Sequence, residues 1–217
     1  PEVLDVVTAG LGTVAIRMPA NEIALELISQ TGPLVAPSAN KSGAPSPTKA
    51  SHIKADFGDS VLLIDGGKTQ VGLESTVLDL TGEDPIILRP GSIGKKELEI
   101  VLGREILIDD SPLNKPKSPG QKYSHYKPKA EIRWLTSEDD FDDPSSLFLL
   151  LHSELDQENV INYDQGFDKL AREIYDRFRQ ADIDGYDAVI IEPFDERYEH
   201  SVVPALLNRI NKATSNE

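Results

Sequence analysis

The C-terminal part of the chain, residues 131–217, shows short apolar runs separated by segments of helical periodicity. The runs predict four buried strands, at 131–135, 147–152, 159–163 and 188–193, of which the third has the weakest pattern. Apolar residues spaced three and four apart predict an amphipathic helix over 166–182 and a second helix over about 202–213. Strands that alternate with helices indicate a small parallel sheet of the doubly wound type.

The first half of the chain also alternates between strands and helices, but its elements are shorter. Two helices are predicted, at 22–30 and 95–102, and a glycine lies just beyond the end of each. Apolar runs predict five strands, at 11–17, 33–38, 61–65, 75–80 and 85–89, and a turn at 81–84 joins the last two. The whole chain is therefore expected to be an α/β protein.

Residues 109–130 are predicted to link two domains, at 1–108 and 131–217. The stretch 111–130 is rich in proline and lysine, has no acidic residue and shows no apolar periodicity. Because proline restricts the backbone, such a linker is extended and fairly stiff. Its lysines and Tyr126 would also suit an anionic ligand, so we interpret it as a lid over an active site.

Charge is distributed unevenly along the chain. Residues 1–130 hold 14 basic and 16 acidic side chains, whereas residues 131–217 hold 8 and 21, a net charge of −13. An acidic domain repels nucleic acid, which argues against a large RNA- or DNA-binding face there. The absence of cysteine excludes disulfides and cysteine-bound metals, and it fits a cytoplasmic protein. No apolar run approaches the roughly 18 residues that cross a membrane.

Several polar clusters interrupt the apolar pattern of the first half. The proline-rich loop 35–48 offers Ser38, Asn40 and Ser46, whose uncharged donors suit a phosphate or a zwitterion. An ordinary surface loop has the same composition, so the loop alone decides nothing.

Charged and hydroxyl side chains also stand at the ends of predicted strands. In GLESTV (72–77) a glutamate, a serine and a threonine enter an apolar strand, and Arg89 ends another beside a Pro-Gly turn. Thr13 and Arg17 are four residues apart and point to the same face of a strand. Each feature alone has an ordinary structural explanation. GLESTV could be a turn at the start of a strand, Arg89 could form a surface ion pair, and Arg17 could be a solvated residue at the end of a strand. The sequence shows no Gly-rich nucleotide loop and no paired metal-binding histidines.

Taken in order, the motifs TVAIRMP, VAPSANKSGAPSPT, GLESTVLDL, ILRPGSI and SPGQKYSHYKP resemble the threonylcarbamoyl-AMP synthase family in its two-domain form. The resemblance covers the whole chain, closely in the first domain and loosely in the second. It implies a twisted mixed-sheet catalytic domain, incomplete at its N-terminus, followed by a small Rossmann-like parallel α/β domain. The implied function is nucleotidyl transfer.

The resemblance also implies the reaction. Threonine and bicarbonate form a carbamate, which attacks the α-phosphate of ATP and gives threonylcarbamoyl-AMP and pyrophosphate. Magnesium is expected to accompany ATP as substrate, with no metal bound by the protein itself. The product is expected to pass to a separate tRNA threonylcarbamoyl transferase, which forms t6A at adenosine 37 of tRNA.

Individual residues match the family's motifs. Thr13, Ser38, Ser46, Arg89 and Tyr126 match positions that contact the nucleotide. Arg17, the backbone of Ala36 and Ser75 match positions that bind threonine, and Asn40 completes the Ser-x-Asn pair. No catalytic residue in the strict sense is implied.

One departure from the family is large, because its Lys-x-Arg motif and N-terminal threonine-binding residues have no counterpart before the 11–17 run. We therefore expect a truncated catalytic domain that is inactive alone, although the intact protein is an enzyme. The alternatives are an RNA- or nucleotide-binding module of the same fold and a non-catalytic regulatory fragment. A carbamoyl-transfer domain of hydrogenase maturation is disfavoured, because the zinc-binding cysteines of that class are missing.

Overall fold

A computed structural model describes residues 3–8, 10–109, 127–136 and 141–214, which form two α/β units. The N-terminal unit ends at residue 109, and the C-terminal unit begins at residue 127. The helices are α1 (Asp5–Thr8), α2 (Glu22–Thr31), α3 (Ala50–Phe57), α4 (Lys95–Leu102), α5 (Phe167–Asp184) and α6 (Val203–Thr214). The strands are β1 (Val77–Asp79), β2 (Ile86–Arg89), β3 (Leu107–Ile108), β4 (Glu131–Trp134), β5 (Ser146–Leu150), β6 (Val160–Asn162) and β7 (Ala188–Ile191).

The C-terminal unit is a four-stranded parallel sheet in the order β4-β7-β5-β6. Strands β5 and β7 are buried along their whole length, as expected for the centre of a parallel sheet. Helices α5 and α6 contribute to one common hydrophobic core and so cover the same face. The predicted parallel Rossmann-like sheet is confirmed, and on its other face Leu135, Phe141, Leu155 and Val160 pack against the strands.

The N-terminal unit contains a mixed three-stranded sheet, because β1 is antiparallel to β2 and β2 is parallel to β3. The two predicted helices are confirmed as α2 and α4. The side chain of Asn21 caps α2 by accepting from the Ala24 N–H at 3.0 Å, and Gly32 ends the helix. Helix α3 and strand β3 were not predicted from the sequence.

Three strand predictions in the N-terminal unit are wrong. The runs 11–17, 33–38 and 61–65 contain no strand, although each is rich in β-branched or aliphatic residues. A strand requires a neighbour that accepts and donates backbone hydrogen bonds, and no described segment pairs with these runs. Their apolar side chains are correspondingly exposed, with Ile16 at 90% and Leu62 at 98%.

Helix α5 joins the two units through charged side chains. Arg179 pairs with Asp56 of α3, with Nη2 2.8 Å from Oδ2. One turn earlier, Asp176 lies 3.0 Å from Nε2 of His52 and also contacts Lys49. His52, Asp56 and Arg179 are at most 12% exposed and belong to the packed interface, whereas Lys49 and Asp176 are partly exposed, at 30% and 28%.

The backbones of the two units are in direct contact at Gly72. Its φ is +87°, and a Cβ atom at this position would lie 2.4 Å from the carbonyl oxygen of Ala171. Next to it, Leu73 enters the core of the C-terminal unit, and Nε of Arg172 donates to the Gln70 carbonyl at 3.0 Å. Glycine is required here both for its backbone conformation and for its lack of a side chain.

Acidification is expected to weaken this interface in two stages. Burial, together with the charges of Arg179 and Lys49, lowers the pKa of His52 below 6.5 despite the neighbouring Asp176. The unfolded chain therefore takes up a proton near pH 6.5 that the folded protein resists, and the free energy of unfolding falls below that pH. Burial alone would raise the pKa of Asp176, but Lys49 and His52 outweigh it and lower that pKa, so a second loss follows below about pH 4.

Urea unfolding at pH 7.5, 5.5 and 3.5 measures both stages. The His52→Gln variant is the control, because glutamine cannot take up the proton. It should lose the decrease between pH 7.5 and 5.5 and keep the later one. An equal decrease over that range in both proteins would contradict the assignment to His52.

None of the helices within the described ranges is long and apolar enough to cross a membrane.

Candidate active site

The β1–β2 pair brings two of the predicted site residues together. Arg89 ends β2, and its guanidinium donates to the Ser75 carbonyl oxygen from Nε at 3.2 Å and from Nη2 at 2.9 Å. Gly91 lies so close to the opposite segment that a Cβ atom would be 2.1 Å from the Thr76 nitrogen. The backbones that carry Ser75 and Arg89 are therefore in direct contact.

The predicted polar loop is held in shape by Asn40. Its amide nitrogen donates to the carbonyls of Lys41 and Ala44, both at 2.9 Å. The preceding Ala39 has φ of +57°, an uncommon conformation for alanine that turns the chain sharply after Ser38. Oδ1 of Asn40 is buried and accepts no hydrogen bond from any described residue. Because a buried acceptor without a donor is costly, this oxygen is a candidate contact for a ligand.

Ser46 connects this loop to the segment that precedes β1. Its hydroxyl donates to Oε1 of Glu74 at 2.7 Å, immediately before Ser75 in the chain. Burial would raise the pKa of Glu74, but the charge and hydrogen bond of Arg209, with the Ser46 hydrogen bond, outweigh it and lower that pKa. Glu74 is therefore ionised at neutral pH and binds the loop in its charged form.

Two side chains of the C-terminal unit complete this cluster. The Tyr175 hydroxyl donates to Oε2 of Glu74 at 3.0 Å, and Nε of Arg209 donates to the same oxygen at 2.7 Å. Nη2 of Arg209 also donates to the Pro90 carbonyl at 3.0 Å, and its side chain is 0% exposed. The C-terminal unit thus contacts both sides of the candidate site, one through the Glu74 carboxylate and the other through the Pro90 backbone.

Sequence reasoning missed Arg209 and Tyr175. Tyr175 lies at an apolar position of the helix predicted over 166–182, and it is buried. The signal for Arg209 was a charged residue within the apolar face of α6, next to Ile210 and three residues after Leu206. Its partner Glu74 lies 135 positions away, so local periodicity could not identify the pair.

The surroundings of Glu74 are positively charged. Burial, followed by the charges of Arg209 and Arg89, lowers the pKa of Lys212 to about 8, against the opposite effect of Glu74. The charge of Arg209 is balanced by its ion pair with Glu74, and the positive charge that Arg89 and Lys212 add near this pair favours an anionic ligand.

Other predicted residues are not brought into this contact network. Thr13, Arg17, Ala36 and Ser38 are exposed in irregular segments. Among the described residues, neither Thr13 nor Arg17 makes a hydrogen bond or an ion pair. Tyr126 lies outside the described residues.

A cleft of about 360 Å³ lies elsewhere, between the two units, and is lined by Gln70, Val71, Ser92, Asp168, Ala171, Arg172 and Val202. It contains none of the predicted site residues, so we place the candidate site at Ser75, Arg89 and the Asn40 loop.

In the part of the chain that the structure describes, no group of three or more His, Cys, Asp or Glu side chains could hold a metal ion.

Two family models match the chain in sequence. One, described as telomere recombination, matches residues 1–91. The other, described as the C-terminal domain of threonylcarbamoyl-AMP synthase, matches residues 93–215.

Individual proteins match as well. Threonylcarbamoyl-AMP synthase of Pyrococcus abyssi is 38% identical over 96% of this chain and 66% of its own length. The enzyme of that name from Bacillus subtilis is 50% identical over 58% of this chain and 38% of its own length. The crystal structure of P. abyssi Sua5 complexed with L-threonine superimposes with a TM-score of 0.83 at 37% identity, covering 98% of this chain and 67% of that one. The chain spans about two thirds or less of the length of these relatives.

Proposed function

This chain belongs to the threonylcarbamoyl-AMP synthase family, and from that premise we propose that its protein forms threonylcarbamoyl-AMP and pyrophosphate from L-threonine, bicarbonate and ATP. One observation carries the proposal. Arg89, assigned to the nucleotide, donates two hydrogen bonds to the carbonyl of Ser75, assigned to threonine. The two substrates would therefore meet at a single pair of contacting backbone segments.

The charges around this point suit the reaction. A carbamate oxygen attacks the α-phosphorus while the bond to pyrophosphate breaks, so two anions must approach each other. Arg89 and the nearby Lys212 provide positive potential that offsets this repulsion, whereas the charge of Arg209 is balanced by that of Glu74. ATP would enter as its magnesium complex, with the ion as part of the substrate.

The remaining family-derived assignments are part of the same proposal. Thr13, Ser38 and Ser46 would contact the nucleotide, and Arg17 and the Ala36 backbone would bind threonine. Because the Ser46 hydroxyl already donates to Glu74, it would accept a hydrogen bond from a ligand rather than donate one.

The linker is proposed to cover the bound nucleotide through Tyr126. The backbone N–H of Lys127, the next residue, donates to the carbonyl of Gly43 at 3.0 Å. The chain thus returns from the linker against the loop that holds Asn40 and Ser46. Tyr126, folded over the nucleotide as the family resemblance implies, would shield the reacting carbamate from water.

Pyrophosphate release by the full-length protein tests the proposed function. Release should require both threonine and bicarbonate, and threonylcarbamoyl-AMP should accumulate with it. Release that continues when either is omitted would indicate simple ATP hydrolysis and overturn the proposal. The product would be consumed by a separate tRNA threonylcarbamoyl transferase. We expect the protein itself to be cytoplasmic and not to bind tRNA directly.

Arg89→Ala is expected to weaken ATP binding by about 1.5–3 kcal/mol, the loss of a hydrogen bond to a charged group. Threonine binding should weaken as well, since Arg89 holds the Ser75 carbonyl. Calorimetric titration measures both affinities. Arg104→Ala is the matched control, because Arg104 also donates to a backbone carbonyl of this unit, that of Glu83, away from the site. Equal affinities in the two variants would assign Arg89 a purely structural role.

A further inference from the structure

The carboxylate of Glu74 is shared between the two units. Oε1 accepts from Ser46 of its own unit, whereas Oε2 accepts from Tyr175 and Arg209 of the C-terminal unit. With the side chain of Arg209 fully buried and that of Glu74 15% exposed, water does not readily replace these partners. The geometry of Glu74 is thus set by the C-terminal unit as much as by its own unit.

Two arginines connect the same pair of segments, residues 74–76 and 89–91, which we call the strand-end pair. Arg89 extends from one segment to the Ser75 carbonyl on the other. Arg209 comes from α6, outside the pair, and bridges the Glu74 carboxylate to the Pro90 carbonyl. The two segments of the strand-end pair are therefore held together by Arg89, which belongs to the pair, and by Arg209, which belongs to the C-terminal unit.

We propose that Arg209 is a positioning residue for the active site, fixing the spacing of the strand-end pair and thereby the placement of Ser75 and Arg89. The inference rests on the proposed function, which assigns those two residues to threonine and ATP. Because the Arg209 side chain is fully buried, the proposal assigns it no contact with a substrate. Its planar guanidinium holds two acceptors at a fixed separation, which a single flexible ammonium group cannot do.

A matched pair of variants in the full-length protein tests this inference. Glu74→Gln and Asp56→Asn each neutralise the carboxylate of an arginine pair between the units, and the two carboxylates are similarly buried, at 15% and 12% exposure. Both variants should lower the unfolding midpoint. Only Glu74→Gln should raise KM for threonine and ATP, with kcat/KM reduced about 100-fold, the usual effect of misplacing reacting groups by about 1 Å.

The split between KM and kcat distinguishes positioning from stability. A partly unfolded preparation loses apparent kcat in proportion to its inactive fraction, but its remaining molecules keep their KM. Equal KM values in Glu74→Gln, Asp56→Asn and the unmodified protein would overturn the inference.

Arg209→Lys supplies a second test that does not need turnover. The lysine keeps the positive charge beside Glu74, but it cannot also hold Pro90. A crystal structure of this variant should show the Arg89 contact with the Ser75 carbonyl lengthened or lost. An unchanged contact would overturn the positioning role even if the protein proves not to be a synthase, whereas absent synthase activity with a lengthened contact would overturn only the proposed function.

Discussion

Arg209→Ala is expected to lower the free energy of unfolding by about 3–5 kcal/mol, because it leaves the buried Glu74 carboxylate without its charged partner. The variant also removes the hydrogen bond to the Pro90 carbonyl and opens a cavity in the apolar core around α6. Urea unfolding followed by circular dichroism measures the change.

Two comparisons show whether the loss comes from an uncompensated buried charge. Arg197→Ala breaks an ion pair with Asp195 in which the arginine side chain is 90% exposed, so it should change the free energy of unfolding far less than Arg209→Ala does. The double variant Glu74→Gln/Arg209→Met removes both buried charges and should be more stable than Arg209→Ala. If the double variant is the less stable of the two, the pair contributes more than charge compensation and the explanation is wrong.

Gly91→Ala is expected to reduce synthase kcat/KM by at least about 100-fold. The added Cβ atom would lie 2.1 Å from the Thr76 nitrogen and 2.6 Å from the Ser75 carbonyl carbon. Both are backbone atoms, so the clash can be relieved only if the two segments separate. That movement would pull Arg89 away from Ser75 and carry the two proposed substrate sites apart. Steady-state assays with threonine and ATP varied separately measure the effect.

Gly82→Ala provides the control for this substitution. Gly82 lies in the turn at the other end of the β1–β2 pair, where an added Cβ would be 3.7 Å from its nearest neighbour, the Asp84 carbonyl oxygen. This variant should keep normal activity. Normal activity in Gly91→Ala as well would show that the chemistry does not depend on the spacing of the two segments.

The sequence predicted the C-terminal unit far better than the N-terminal one. Strands β5 and β7 are continuous apolar runs at the centre of a parallel sheet, and α5 has a complete apolar face, so local pattern and tertiary burial agree. The runs 11–17, 33–38 and 61–65 have comparable apolar content but no described neighbour to pair with. Hydrophobic pattern records the tendency to form a strand and not the presence of a partner.

The residues of the candidate site also differ in how well the sequence predicts them. Ser75 and Arg89 come together because adjacent strands align them, and both were identified from the sequence. Glu74, Tyr175 and Arg209 meet only because the two units dock, and separations of 101 and 135 residues carry no sequence periodicity. For Thr13 and Arg17 the described residues provide no hydrogen bond or ion pair, so their roles remain predictions from the family motifs.

The close approach at Gly72 limits how this architecture can diversify in evolution. The backbone of residues 171–172 leaves no room for a side chain at residue 72. The surface of the N-terminal unit must therefore match the position of α5 in the C-terminal unit. A C-terminal unit taken from a distant relative would have to bring a matching helix surface, and an arginine opposite Glu74 as well. The two units are therefore expected to be inherited together, and recombination between relatives should be tolerated poorly at a boundary that separates them.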